Sequence, residues 1–295
     1  MLGVVNLDKP VGPTSHDMVG LLRRLTGIQR IGHAGTLDPL ASGVLPILVG
    51  AATRFSEELT GGRKRYEATI RLGARSATDD AEGPVEPTGA ALPAEEEIAG
   101  ALRAFVGTYD QRPPSFSARK LGGRTAHRAA RAGTPIDVPP RTVTVERIDL
   151  LGLAAGDDWL DVRIDVRCGA GTYIRSIARD VGDRLETGGY LAALRRTEAA
   201  GLSAHDAVRP EQLEALAAEG RLNSAVREVG SLLPLPRIEL ADDAAWHFTH
   251  GSAQPFEGAA SGRSAVFGSD RLLGIGIVRE GMLQPEKVIH AESQA

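Results

Sequence analysis

Asp38 sits in Gly32-His33-Ala34-Gly35-Thr36-Leu37-Asp38-Pro39-Leu40-Ala41-Ser42-Gly43, surroundings suited to a carboxylate held for chemistry. Three glycines and a proline in twelve residues forbid a regular helix or strand and specify a tight loop. Pro39 biases the Asp38 backbone toward an extended conformation. The apolar run Val44-Leu45-Pro46-Ile47-Leu48-Val49 follows at once and must be buried. An ionisable acid on a stiff turn, anchored in the core on one side, can be aimed into a cleft. An Asp before Pro also commonly closes a turn on its own backbone, so the loop alone leaves both readings open.

Gly169-Ala170-Gly171-Thr172-Tyr173-Ile174-Arg175 is the second unusual stretch. A glycine turn entering a helix could cradle phosphate, but the Lys-Ser/Thr of a P-loop is missing. Arg175 falls in the first helical turn, where a cation opposes the helix dipole at about 0.3–1 kcal/mol. A carboxylate partner removes the conflict, and Asp38 is the candidate, oriented by a forked hydrogen bond. An Arg bent out to solvent is the alternative. Tyr66 and Tyr173, two of four tyrosines, suit either a stacking platform for an unstacked base or ordinary core.

The elements that must position these residues follow from periodicity and punctuation. Gly3 to Leu7 reads as a strand, and Thr14 or Ser15 caps a helix to Leu25 that Gly27 stops. Ala51 to Leu59 is predicted helical, and Arg63 to Leu72 is an alternating strand. Ala74 to Leu92 reads as a polar loop, and Pro93 to Val106 as a helix entered through acids. Arg141 to Leu153 and Trp159 to Cys168 form a hairpin turning at Gly156-Asp157-Asp158. The second strand alternates an apolar face with a wet one. A helix is expected from Tyr173 to about Leu185, strand at Tyr190–Arg195 and Ala200–Ala204, and a helix from Pro210 to Glu219. Leu233-Pro234-Leu235-Pro236 reads as a linker to about 60 residues, too few for a large core, with short strands near Val266, Ile275 and Val288.

With 295 residues and 42% hydrophobic content, the chain can build one large domain and one small one. No stretch approaches the roughly 20 apolar residues of a membrane helix, and the N-terminus lacks a signal-peptide core. Cys168 is the single cysteine, which excludes internal disulfides and a cysteine zinc site and fits a reducing cytosol. The seven histidines show no paired ligand spacing. A net charge of −4 hides segregation. Gln111 to Ile136 holds Arg112, Arg119, Lys120, Arg124, Arg128 and Arg131 with no acid, whereas Asp79, Asp80, Glu82, Glu86 and Glu95 to Glu97 crowd a neighbouring stretch. That pattern produces a positive patch on a mildly acidic protein. A short helix is expected over Thr125–Ala132, with Arg124, Arg128 and Arg131 along one face toward phosphate. A solvated helix face is the bland alternative, though such faces usually carry Glu partners.

The Gly32–Gly43 stretch, Lys9-Pro10, Lys64-Arg65-Tyr66, Gly171-Thr172-Tyr173-Ile174-Arg175 and Leu194-Arg195-Arg196 together resemble the TruB family, the tRNA pseudouridine-55 synthases, in the family's order from about Val4 to Arg196. The resemblance implies an α+β fold: a mixed, largely antiparallel central sheet flanked by helices over residues 1–233. A basic insertion, about 111–140, would grip the tRNA T arm, and residues 236–295 would form a small, mostly β PUA-like RNA-binding domain. It implies Asp38 as the catalytic aspartate with Arg175 as its ion-pair partner, Tyr66 stacked on the flipped uracil and Tyr173 near its C5. Leu194 would line the pocket and His33 would enter the space left in the T loop. Lys9, Lys64, Arg119, Lys120, Arg124, Arg128 and Arg131 are the further expected substrate contacts. Phe116 and His127 stand where relatives often carry tyrosine. The reaction imports no group and moves no electrons, so no cofactor, no metal and no obligate protein partner are expected, and the cytoplasm is the expected location. Rival readings are a non-catalytic RNA-binding or tRNA-folding protein and a guide-RNA-dependent pseudouridine synthase.

Overall fold

The computed structural model describes residues 2–116, 120–121, 124–125, 138–258 and 261–289. In chain order the strands are β1 (Gly3–Lys9), β2 (Ile31–His33), β3 (Ala41–Val49), β4 (Lys64–Leu72), β5 (Ala74–Ser76), β6 (Val85–Pro87) and β7 (Gly107–Gln111). Then come β8 (Lys120–Leu121), β9 (Arg124–Thr125), β10 (Arg141–Ala155), β11 (Leu160–Cys168), β12 (Gly189–Ala199), β13 (Leu202–Ser203) and β14 (Val226–Arg227). The last five are β15 (Arg237–Leu240), β16 (Gln254–Pro255), β17 (Gly262–Gly268), β18 (Arg271–Arg279) and β19 (Met282–Val288). Among the described residues the α-helices are α1 (Ser15–Thr26), α2 (Ser56–Thr60), α3 (Glu95–Arg103), α4 (Ile174–Arg184), α5 (Pro210–Ala218) and α6 (Asp242–Thr249).

Among the described residues, ten strands make one sheet in the order β14-β1-β3-β12-β4-β11-β10-β7, with β2 on β3 and β13 on β12. Only the β12–β3 pairing in it is parallel. The sheet is thus mixed and largely antiparallel, as expected. The apolar run of β3 is continuous because that strand is covered twice. Val5, Leu7, Leu45, Ile47 and Val49 join the core that contains α1. Val4, Val44 and Leu48 join a second core that includes Ala265, Phe267, Leu272 and Ile275 of the C-terminal sheet. β11 instead alternates, with Val162, Ile164 and Val166 buried. Its Asp165 is a departure from the expected wet face: it is buried because Arg65 donates to it at 2.8 Å.

α1 forms as its sequence dictates. Thr14 accepts from the Asp17 amide at 3.1 Å while Asp17 accepts from the Thr14 amide at 2.8 Å, and Gly27 ends the helix at φ 72°. The C-terminal sheet runs β15-β17-β18-β19-β16 and is packed by α6, which periodicity missed. Leu233 is buried, so the expected linker is part of the packing.

Several other expectations need correction. Gly32 and His33 belong to β2, and Ala41 to Gly43 to β3, so the irregular loop is shorter than its glycines suggested. The polar segment after Ala74 contains the β5–β6 ladder. Gly50–Phe55 is a 3-10 turn leading into the short α2. Arg124 and Thr125 pair with β8 as strand, so the helix expected from Thr125 does not begin there. Arg119, His127, Arg128 and Arg131 lie outside the described residues.

Candidate active site

The parallel register of β12 on β3 sets Leu194 beside Ala41 and Arg196 beside Gly43. On its other edge β12 sets Leu194 beside Ala68 and Arg196 beside Tyr66. One short stretch of β12 therefore ties the exit of the Asp38 loop to the strand carrying Tyr66. Gly43 is required for that approach, because a Cβ there would stand 2.2 Å from the Arg196 carbonyl oxygen, at a φ of 100°.

The Asp38 loop is held almost entirely through its backbone. The Ser15 hydroxyl donates to the Leu37 carbonyl and accepts from the Leu37 amide, both at 2.9 Å. The Gly12 amide donates to the Pro39 carbonyl at 2.9 Å, and the Ala41 amide to the Asp38 carbonyl at 3.0 Å. Arg196, almost wholly buried, donates to the carbonyls of Val44 at 2.7 Å and Gly35 at 2.9 Å, and its guanidinium also meets the Tyr66 hydroxyl. Lys9 is 0% exposed and donates to the carbonyls of Pro10 at 2.8 Å, Pro13 at 2.6 Å and Pro39 at 3.4 Å. Its expected role as a substrate contact is corrected to a brace under the loop, since three carbonyls occupy its ammonium. Burial lowers its pKa to about 8.

Across the cleft, α4 begins after Tyr173, whose backbone is extended (φ −101°, ψ 113°) and has no side-chain cap of its own. Gln111, buried at the end of β7, substitutes for that cap. Its Oε1 accepts from the Tyr173 amide at 2.8 Å and its Nε2 donates to the Tyr173 carbonyl at 3.1 Å. Arg175, 6% exposed, reaches from the first turn with Nη2 3.0 Å from an Asp38 carboxylate oxygen. Its Nη1 lies 3.3 Å from Asp80, itself 3% exposed. The guanidinium also donates to the carbonyls of Thr78 at 3.2 Å and Phe116 at 2.9 Å. The forked bond expected on Asp38 is therefore shared between two carboxylates. Asp80 is positioned in turn by the Thr78 hydroxyl at 2.6 Å and the Glu82 amide at 3.0 Å.

These residues enclose a cleft of about 240 Å³ lined by Asp38, Tyr66, Tyr173, Arg175, Leu194 and Lys64, with Thr36, Gly171 and Arg196. The Asp38 side chain is 38% exposed, so one carboxylate is open to a ligand while its cationic partner is not. Tyr66 is buried in the wall, and burial raises its hydroxyl pKa. Lys64 lines the cleft too, but its ammonium donates to the carbonyls of Thr60 at 2.7 Å and Gly62 at 2.9 Å, and burial lowers its pKa to about 8. His33 stands on β2 outside the cleft lining, its Nδ1 buried without a partner and its pKa lowered by burial and then by Arg196. Lys120 and Arg124 fall in the β8–β9 ladder. Among the described residues no three His, Cys, Asp or Glu side chains converge as a metal site.

Three positioning residues escaped sequence reasoning. Asp80 was one of seven acids in a polar run, Arg196 was noticed only as part of a motif, and Gln111 carried no signal. A buried arginine opposite a glycine in a neighbouring strand was the one trace available, and it needs the strand register to be seen.

The cleft thus holds one open carboxylate on a guanidinium shared with a buried one, and two tyrosines line it. The family model described as TruB family pseudouridylate synthase (N terminal domain) matches residues 23–174. The chain belongs to the TruB family of pseudouridylate synthases, and it is an isomerase. The tRNA pseudouridine synthase B of Mycobacterium sp. (strain KMS) is 44% identical over 252 residues, which is 85% of this chain and 84% of the relative. That of Acaryochloris marina (strain MBIC 11017) is 40% identical over 294 residues, 99% of this chain and 100% of the relative. Among solved structures, a chain from a crystal structure of a Cbf5-Nop10-Gar1 complex matches with TM-score 0.74 at 28% identity, covering 99% of this chain and 86% of that one. A chain from an archaeal box H/ACA sRNP Nop10-Cbf5 complex matches with TM-score 0.74 at 26% identity, covering 100% and 88%.

Proposed function

We propose that this chain converts uridine 55 in the T loop of tRNA to pseudouridine, with Asp38 as the catalytic carboxylate. The observation that carries the reading is the Asp38–Arg175 pair, 3.0 Å apart, at the floor of a cleft walled by Tyr66 and Tyr173. The cleft lies below the roughly 300–1,000 Å³ of pockets for drug-sized ligands, which suits a single base and excludes a duplex. The target must therefore leave its stack, at a few kcal/mol, before chemistry begins.

The isomerisation breaks the N1–C1′ bond and forms C5–C1′. One proton leaves C5 and one is gained at N1, so no electrons or groups are imported. Asp38, held by its backbone and by Arg175 in a site that the seated base closes to bulk water, acts as nucleophile or base. Tyr66 supports the ring from one side, and Tyr173 lies over it near C5. Leu194 closes the apolar wall. His33 enters the space vacated in the T loop, the basic insertion grips the T arm, and the C-terminal sheet acts as a PUA-like RNA-binding unit. The substrate places the enzyme with cytoplasmic tRNA, and no other protein or cofactor is required.

The test is a T-arm hairpin carrying uridine tritiated at C5, given to the purified chain alone. Tritium release with a single pseudouridine mapped to position 55 is the expected result. Release only after a guide RNA is added assigns the chain to the guided class that the Cbf5-containing neighbours suggest. Tight binding without release makes it a non-catalytic RNA-binding protein.

A further inference from the structure

Arg141 opens β10, at the point where the acid-free basic segment returns to the main sheet. Its strand position is fixed on one side by pairing with Gln111, the residue that brackets the Tyr173 amide. On the other side, Gly169 donates its amide to the Thr144 carbonyl at 2.8 Å, which lays the glycine turn along the start of β10. The Arg141 guanidinium consequently rests on Gly171. A Cβ built there would stand 2.2 Å from the Arg141 Cζ and no more than 2.3 Å from either Nη. Gly171 itself lines the cleft together with Asp38 and Tyr173.

Arg141 has no hydrogen bond, ion pair or ring contact among the described residues. Several other arginines of the main sheet and its helices differ in that respect. Arg147 on the same strand pairs with Asp149, and Arg65, Arg71, Arg179 and Arg195 each hold a carboxylate. Asp110, on the adjoining strand, accepts from Thr142 at 2.8 Å. A half-buried guanidinium seated on a glycine of the cleft lining, with its donors unused among the described residues, is matched to an anion that arrives with the substrate. A neutral uracil offers none; the backbone that carries it does.

We infer that Arg141 binds a phosphate of the RNA backbone beside the uridine seated over Asp38, and so sets how deeply the displaced nucleotide enters the cleft. The inference rests on the function proposed above. Arg141 acts on placement of the nucleotide and touches no reacting atom, so it is a positioning residue.

The full-length chain and the T-arm hairpin test this through Arg141→Gln and Arg141→Lys. In Arg141→Gln the Kd rises about tenfold, and the slope of log affinity against log salt falls by about 0.7 to 0.9, the share of one phosphate contact. The single-turnover rate at saturating RNA falls as well, by less than the Kd rises, because a nucleotide seated less deeply reacts more slowly. Arg141→Lys keeps the charge and so keeps the slope. A slope unchanged in Arg141→Gln, or a loss confined to the single-turnover rate, overturns the inference and leaves Arg141 as packing for the glycine turn. Binding is read without turnover, so a wild-type chain that binds the hairpin and releases no tritium breaks the functional reading while the slope comparison still decides this one.

Discussion

Two concavities in the same molecule differ in what their charges do. The cleft at Asp38 has a volume of about 240 Å³. The groove between the main and C-terminal sheets is larger, about 1040 Å³, with Leu202, Leu233 and Leu235 in its floor. Around the groove three arginines close on acids. Arg63 meets Glu146 at 2.6 Å, Arg65 meets Glu198 at 3.2 Å, and Arg263 meets Glu58 at 2.7 Å. In the cleft the cations Lys64 and Arg196 are turned onto backbone carbonyls, and Arg175 holds a carboxylate that stays accessible. Size does not mark the chemistry; convergence of polar groups that are braced but not mutually cancelled does.

Substitutions on the two sides should separate them. The largest effect is expected at Arg175. Arg175→Ala strands Asp80, buried at 3% exposure, and should lower stability to denaturant by about 3–5 kcal/mol. Arg175→Lys keeps the charge but cannot span two carboxylates, so single-turnover tritium release should fall about a hundredfold with a smaller stability loss. Release at the wild-type rate in the Lys variant would remove the need for a shared guanidinium. Next comes Arg196→Ala, which frees the carbonyls of Gly35 and Val44. A stability loss of about 2–4 kcal/mol is expected, with release slowed about tenfold at saturating RNA. If folding suffers while the rate of the folded fraction holds, the clamp is structural only. The smallest effect belongs to the groove rim, where Arg63 is 83% exposed. Arg63→Gln should shift stability by less than about 0.5 kcal/mol and leave the rate unchanged. A loss of rate there would make the groove part of the site.

How far the sequence disclosed this contrast depended on whether a feature was local. The loop around Asp38 was legible because glycine and proline act on the backbone at their own positions. The helix start at Tyr173 and the conflict of Arg175 with its dipole were legible for the same reason. Asp80, Arg196 and Gln111 were not, because each works through a partner brought near by strand pairing. Lys9 misled for a related reason. A lysine beside a conspicuous turn suggests an anion, yet burial on β1 leaves its ammonium only carbonyls to satisfy. The helix α6 was hidden by its short length, and the two-sided burial of β3 became intelligible once the C-terminal sheet was seen to share its core.

Asp38 is the reacting carboxylate of the proposed function, and the most direct measurement of that role is single-turnover tritium release from the T-arm hairpin by Asp38→Asn. The substitution keeps shape and removes the charge. Release should fall below detection while the Kd for the hairpin stays within about threefold of wild type, as expected for a group acting in the transition state. Release within about tenfold of wild type would show that the chemistry proceeds without the carboxylate, and would contradict the account.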